Sequence, residues 1–283
     1  MRERDSDHRG KPHRRDDGKS SGGRHPGGRR SGKPKAGPWR GLRDRDATVV
    51  LYGWHTVKAA LENPQRCFHR LLATENAARR LTDDKVAFPV APTLVRPEDI
   101  AAIAGATAVH QGVCAEADPL PSPELEDVAT GGIVVALDQI TDPHNFGAIL
   151  RSAAAFGVKA VVTTARHSPE ATGVLAKAAS GALEYVPVVT VVNLARALDE
   201  LRELNSFVVG LDSSGDADLA AMPLSAPLAL VIGAEGKGLR HLTRVRCDVI
   251  ARLALPGRIT TLNVSNAAAL ALYVASGKLA PSG

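Results

Sequence analysis

The apolar positions of this chain change their rhythm near residue 119. Ahead of it, LYGWHTVKAALEN has the spacing of an amphipathic helix ending near Asn63 and Pro64, because proline disfavours helical backbone in the residue before it. FHRLLAT then reads as a strand, NAARRL and PEDIAAIA as helices and GVCAEA as a closing strand. These elements predict a small α/β domain over residues 47–118. PLPSPELEDVATGG, residues 119–132, breaks the periodicity with three prolines and a glycine pair, as an interdomain linker does.

Beyond it, short apolar runs alternate with helical patterns: IVVALD, FGAILRSAAAFG, AVVTT, ATGVLAKAAS, VPVVTVV and LARALDELREL. FVVGLD and LALVIG follow, and NAAALALYVAS closes the series. Apolar strands separated by helices predict a parallel sheet covered on both faces, so residues 133–283 form a second α/β domain. No internal repeat is visible.

Composition changes the picture at one end. Residues 1–46 hold 15 Lys/Arg against 7 Asp/Glu, a net of +8, within a whole-chain charge of +5. The body is therefore slightly acidic. This Gly-, Ser-, Pro- and Arg-rich stretch has too few apolar side chains to offset the entropy of ordering, and is expected to be disordered. It serves either as an electrostatic arm for nucleic-acid phosphates or as a solubilising extension. No apolar run approaches the roughly 20 residues of a membrane helix, and no secretory segment follows the start. Cys67, Cys114 and Cys247 are odd in number and far apart, which argues against a disulfide framework and fits a reducing cytoplasm. The nine histidines form no HxxxH pair, and no metal site is expected.

Candidate chemistry lies in three segments that follow apolar strands, where open α/β sheets place their ligands. In LDQITDPHNFGAILRSAAAFGV, residues 137–158, Asn145 can cap a helix beginning near Phe146. Arg151 interrupts an otherwise apolar helix, so it either meets a partner such as phosphate or snorkels to solvent. LALVIGAEGKGL, residues 228–239, runs into three glycines, which allow a ligand close to the backbone, and Glu235 is a candidate proton acceptor. It matches neither a Walker A loop nor a dinucleotide-binding G-x-G-x-x-G. In LALPGRITTLNVSNAAALALY, residues 253–273, a Pro-Gly turn and a polar patch lead into a helix that Asn263 or Ser265 can cap.

DPHNFGAILRSA, VIGAEGKGL and TLNVSNAAA, in this order and spacing and together with SGALEYVPV, resemble the motifs of the SpoU family of RNA ribose 2′-O-methyltransferases, within the SPOUT superfamily. YGWHTVKAALENP resembles that family's N-terminal substrate-binding domain, an L30-like α/β module, so the resemblance spans about residues 49–275. In layout the chain is similar to the members that methylate a guanosine of 23S rRNA. The tRNA-modifying members, or a catalytically silent RNA-binding protein of ribosome assembly, are the alternatives.

The resemblance implies a C-terminal parallel sheet with a deep trefoil knot, a homodimer and an RNA substrate. It further implies S-adenosylmethionine held mainly by backbone at Gly233, Leu253 and Leu262, with Arg151, Asn145, Glu235 and Asn263 as the polar active-site residues. Ala254 and Thr261 depart from the family's usual proline and serine. Thr261 keeps a hydroxyl, whereas Ala254 alters the loop. Guanidinium has no ordinary acceptor site, so Arg151 is expected to clamp an RNA phosphate and stabilise developing negative charge while Glu235, or the phosphate, takes the proton.

Overall fold

The computed structural model describes residues 48–166, 168–169 and 173–280. The basic segment 1–46 lies outside the described residues. The first sheet is built from β1 (Val49–Tyr52), β2 (Phe68–Ala73), β3 (Pro92–Leu94) and β4 (Val113–Ala117), in the order β1-β4-β2-β3. Helices α1 (Trp54–Glu62), α2 (Glu75–Asp83) and α3 (Pro97–Ala104) connect them.

The helix expected over LYGWHTVKAALEN starts later than the sequence pattern suggests. Leu51 and Tyr52 end β1, and Gly53, at φ 89°, turns the chain into α1. The run Val-Val-Leu-Tyr favours the pleated strand, and glycine takes the positive φ without a Cβ clash. β3 is too short for alternation to reveal it; its leading proline suits an edge strand, which lacks a partner on one side. Leu51, Val57, Leu71, Leu81 and Val113 form the buried centre of this domain.

The segment 119–132 carries α4 (Leu125–Val128), and Leu125 and Ala129 pack, one helical turn apart, against the second domain's core. The Oγ of Ser122 accepts the Thr190 N–H at 3.0 Å, adding a buried polar tether.

The second domain contains β5 (Ile133–Asp138), α5 (Pro143–Ala155), β6 (Ala160–Thr164), α6 (Gly173–Ala179), a 3-10 turn (Ala182–Glu184), β7 (Val188–Val191) and α7 (Leu194–Glu203). β8 (Phe207–Leu211), β9 (Ala217–Asp218), β10 (Leu228–Gly233), α8 (His241–Arg244), β11 (Val249–Arg252) and α9 (Val264–Leu279) complete it. The strand order is β7-β6-β5-β10-β8-β11-β9, and every pair in this sheet is parallel. Alternate residues of β5 face opposite cores: Ile133, Val135 and Leu137 meet α5, α6 and α9, whereas Val134 and Ala136 meet α4 and α7. This two-sided burial explains the unbroken apolar runs.

The two domains meet through a buried ion pair. Arg66 Nη2 and Nε donate to Glu184, whose carboxylate also accepts Asn63 Nδ2 at 2.8 Å, and Arg66 Nη1 donates to the Asp118 carbonyl at 2.7 Å. The two charged side chains are 3% and 2% exposed, so each depends on the other for compensation.

The three cysteines are free, and burial pushes the thiols of Cys114 and Cys247 up to about 11 and about 12. Among the described residues no helix is long and apolar enough to cross a membrane, and no cluster of three or more His, Cys, Asp or Glu side chains could hold a metal ion.

Arg66→Ala strands the Glu184 carboxylate in the domain junction and should cost about 3–5 kcal/mol, whereas Arg66→Met with Glu184→Leu should recover most of that loss. Urea unfolding of the three proteins measures it. A cost below about 1 kcal/mol for Arg66→Ala would mean that the pair is solvated.

Candidate active site

Parallel strands carry their following loops to one edge, and three such loops converge there. The segments after β8, β10 and β11 line a cleft of about 230 Å³, with Leu211, Ile232, Leu253, Leu255 and Leu262 as apolar walls and Asp212 and Glu235 as carboxylates. Gly233, Leu253 and Leu262, the three positions expected to hold cofactor, all border it.

The reason for Gly233 differs from the one the sequence suggests. A Cβ there would strike the backbone of Gly238 and come within 2.6 Å of the Leu239 nitrogen. The glycine-rich loop folds back on itself: the Gly238 N–H donates to the Ala234 carbonyl at 2.9 Å, and Gly236 and Gly238 adopt φ of 74° and 63°. Gly233 is therefore required by the loop's own path before any ligand enters.

Two carboxylates outside the expected set brace this loop. Asp138, wholly buried at the end of β5, accepts Arg240 Nε at 2.6 Å and the Arg240 N–H at 3.0 Å. Asp212, after β8, faces Arg244 at 3.3 Å. Burial alone pushes the Asp212 carboxyl up, but hydrogen bonds from the Ser214 hydroxyl and N–H and from the Leu239 N–H, with the Arg244 charge, outweigh it and leave it below its ordinary value. Asp138 had one signal in the sequence, a charge closing the wholly apolar strand IVVALD.

Asn145, Glu235 and Asn263 come together from three distant parts of the chain. Asn263 Nδ2 donates to Asn145 Oδ1 at 3.0 Å and to Glu235 Oε2 at 3.4 Å. Its Oδ1 accepts the Ser265 N–H at 2.9 Å and thereby caps α9, so one amide serves both the helix and the cluster. Asn145 does not cap α5. Asp142 does, accepting the His144 and Asn145 N–H groups at 3.1 and 3.3 Å, and Pro143 fills the first helical position. Proline's preset φ moves the helix start back, leaving the Asn145 side chain free for Asn263.

A second cleft, bounded by Gln139, Thr141, Asp142 and Asn145, adjoins the first, and Ala234, Glu235, Lys237 and Val264 border both. Arg151 joins neither. It lies exposed, more than a turn beyond Asn145, because Phe146, Ile149, Leu150 and Ala153 form the buried face of α5. Among the described residues it has no hydrogen-bond or ion-pair partner, so of the two readings open for it, solvent exposure holds in the isolated chain.

The backbone of residues 253–262 makes no backbone hydrogen bond to another described residue. Leu253, Leu255, Thr260, Thr261 and Leu262 from this stretch border the first cleft. Backbone donors and acceptors that have no backbone partner, beside apolar walls, suit a ligand with apolar surface and a few polar groups.

A parallel sheet whose last loops close over its strand ends and feed a C-terminal helix makes this an α/β protein with a ligand cleft at one sheet edge, and comparison with known proteins supplies the family. The profile of the SpoU rRNA methylase family matches residues 132–273, and that for RNA 2′-O ribose methyltransferase substrate binding matches residues 50–123. The chain is 35% identical over 238 residues to the 23S rRNA (guanosine-2′-O-)-methyltransferase RlmB of Pseudomonas putida, covering 80% of this chain and 94% of that protein. It is 40% identical over 236 residues to RlmB of Pseudomonas aeruginosa, covering 79% and 94%. The SpoU methyltransferase AviRb of Streptomyces viridochromogenes, crystallised with its cofactor AdoMet, superposes with a TM-score of 0.70 at 25% identity over 85% of this chain and 96% of that one. The chain belongs to the SpoU rRNA methylase family.

Gly233→Val should destabilise the domain by about 1–3 kcal/mol, since the added bulk meets backbone rather than a movable side chain. Thermal unfolding reads this directly. An unchanged melting temperature would show that the loop does not fold back as described.

Proposed function

We propose that this chain transfers the methyl group of S-adenosylmethionine to the ribose 2′-hydroxyl of a guanosine in 23S rRNA. The observation that carries this reading is the junction of the two clefts at Glu235, where the Asn145 and Asn263 amides converge. The relatives named for 23S rRNA guanosine methylation, matched along nearly their whole length, support the substrate. S-adenosylmethionine supplies, when bound, a methyl group made electrophilic by a positively charged sulfur. The apolar walls and the backbone of the first cleft, at Gly233, Leu253 and Leu262, hold it, and the anionic Asp212 suits a cationic cofactor.

The ribose occupies the second cleft. Glu235 stands at the shared wall and accepts the hydroxyl proton, while the Asn263 amide, tied to Asn145 and to the start of α9, fixes its carboxylate. Holding the acceptor and the two clefts in one rigid arrangement is the main catalytic contribution. Arg151, outside both clefts, clamps an RNA phosphate, consistent with a guanidinium's permanent charge.

Labour divides along the chain. Residues 47–118 grip RNA, 119–132 join the domains, 133–283 carry the chemistry, and the basic segment 1–46 attracts phosphates. The last helix threads a loop to form the trefoil knot; the path of residues 253–262 over the cleft into α9, which packs on α5, supports this. The protein acts as a cytoplasmic homodimer. Tyr273 and Leu270 on α9 are 68% and 46% exposed, and Phe156 meets the Tyr273 ring edge-on, so an apolar face is available for a second copy.

Mapping ribose methylation at nucleotide resolution in ribosomal and transfer RNA, from cells with and without the gene, tests the reading. Loss of methylation at a 23S rRNA guanosine is expected, and a change confined to tRNA would overturn the substrate. On the purified enzyme, Arg151→Ala should lower methyl transfer by about a hundredfold with cofactor affinity within about twofold of wild type. An equal loss of both would contradict the phosphate clamp.

A further inference from the structure

Among the described residues, Lys237 is the only cationic side chain bordering either cleft. Its neighbours there are the carboxylates Asp142, Asp212 and Glu235. Lys237 is exposed and has no hydrogen-bond or ion-pair partner among the described residues. It is nonetheless carried on a braced turn: Gly236 and Gly238 flank it with positive φ, the Gly238 N–H closes onto the Ala234 carbonyl, and Arg240 locks onto the buried Asp138. A lone, free cation on a held turn at the wall between two ligand clefts is poised for an anion.

We propose that the Lys237 ammonium binds a backbone phosphate next to the ribose that is methylated. The inference rests on the function proposed above and adds a substrate-positioning residue to it. Charge decides which ligand the lysine serves. S-adenosylmethionine has a sulfonium, an ammonium and a single carboxylate, so its net charge is positive and the acidic groups already present suit it. RNA brings a negative charge at every nucleotide, and in the second cleft it would approach Asp142 and Glu235, where Lys237 is the only cation among the described residues that borders the cleft. Arg151 borders neither cleft and cannot stand in at this position. Lysine's compact charge on a flexible stem follows a phosphate without demanding bidentate geometry.

The test uses the full-length protein, Lys237→Ala and Lys237→Arg with a 23S rRNA fragment. RNA binding is measured across a salt series, together with KM for RNA and S-adenosylmethionine affinity. Lys237→Ala should raise KM about tenfold and flatten the slope of log K against log salt by about 0.7–0.9, the loss of one phosphate contact. Lys237→Arg should keep the wild-type slope, and cofactor affinity should stay within about twofold in both. A wild-type slope in Lys237→Ala overturns the proposal, as does weakened cofactor binding with RNA binding intact, which would place the ammonium on the cofactor carboxylate. The slope is read from binding alone. A wild-type protein that binds the fragment without methylating any ribosomal RNA would refute the functional reading, while the slopes still decide Lys237.

Discussion

The buried carboxylate of Asp138 is the constraint on which the site depends. It closes β5 beside Gly233 of β10, its parallel partner in register, and it holds Arg240 by both side chain and backbone. A fully buried carboxylate without such partners would be costly, so the pair fixes the far end of the glycine-rich loop to the centre of the sheet. Between those anchor points the chain has little freedom. Gly233 must lack a Cβ, Gly238 must return to Ala234, and Asp212 holds the turn from the other side through Leu239 and Arg244.

From that held loop the rest of the site follows. Its two sides become the walls of two adjoining clefts, and Glu235 and Lys237 project from the turn that separates them. Asn263 adds a third fixed point, because the same amide that caps α9 reaches both Asn145 and Glu235. The polar cluster is thus held by secondary-structure ends rather than by flexible side chains alone, which is what a reaction dominated by positioning requires.

Much of this was legible in the residues. Apolar runs buried on both faces announce a parallel sheet, and β5, β6, β7, β8 and β10 lie where those runs fall. The three motif segments converge on one edge, as open α/β sheets lead one to expect. What escaped has physical causes. β9 and β11 are two and four residues long, too short for periodicity. Leu51 and Tyr52 share the helical spacing of the residues after them, yet they end β1, because Gly53 at positive φ separates them from α1. Asn145 lost the capping role to Asp142 because Pro143 sets the helix start, and Arg151 needs no internal partner because the apolar face of α5 points elsewhere. The Asp138–Arg240 pair joins residues 102 positions apart, a distance that local patterning does not bridge.

Calorimetric titration of S-adenosylmethionine into wild-type protein and Asp138→Asn tests the central claim most directly, since the substitution keeps the shape of the side chain and removes its charge. If the braced loop forms the cofactor cleft, Asp138→Asn should weaken binding by about tenfold or more while the sheet remains folded, about 1.4 kcal/mol or more of lost support. Wild-type affinity in a folded Asp138→Asn protein would contradict the account.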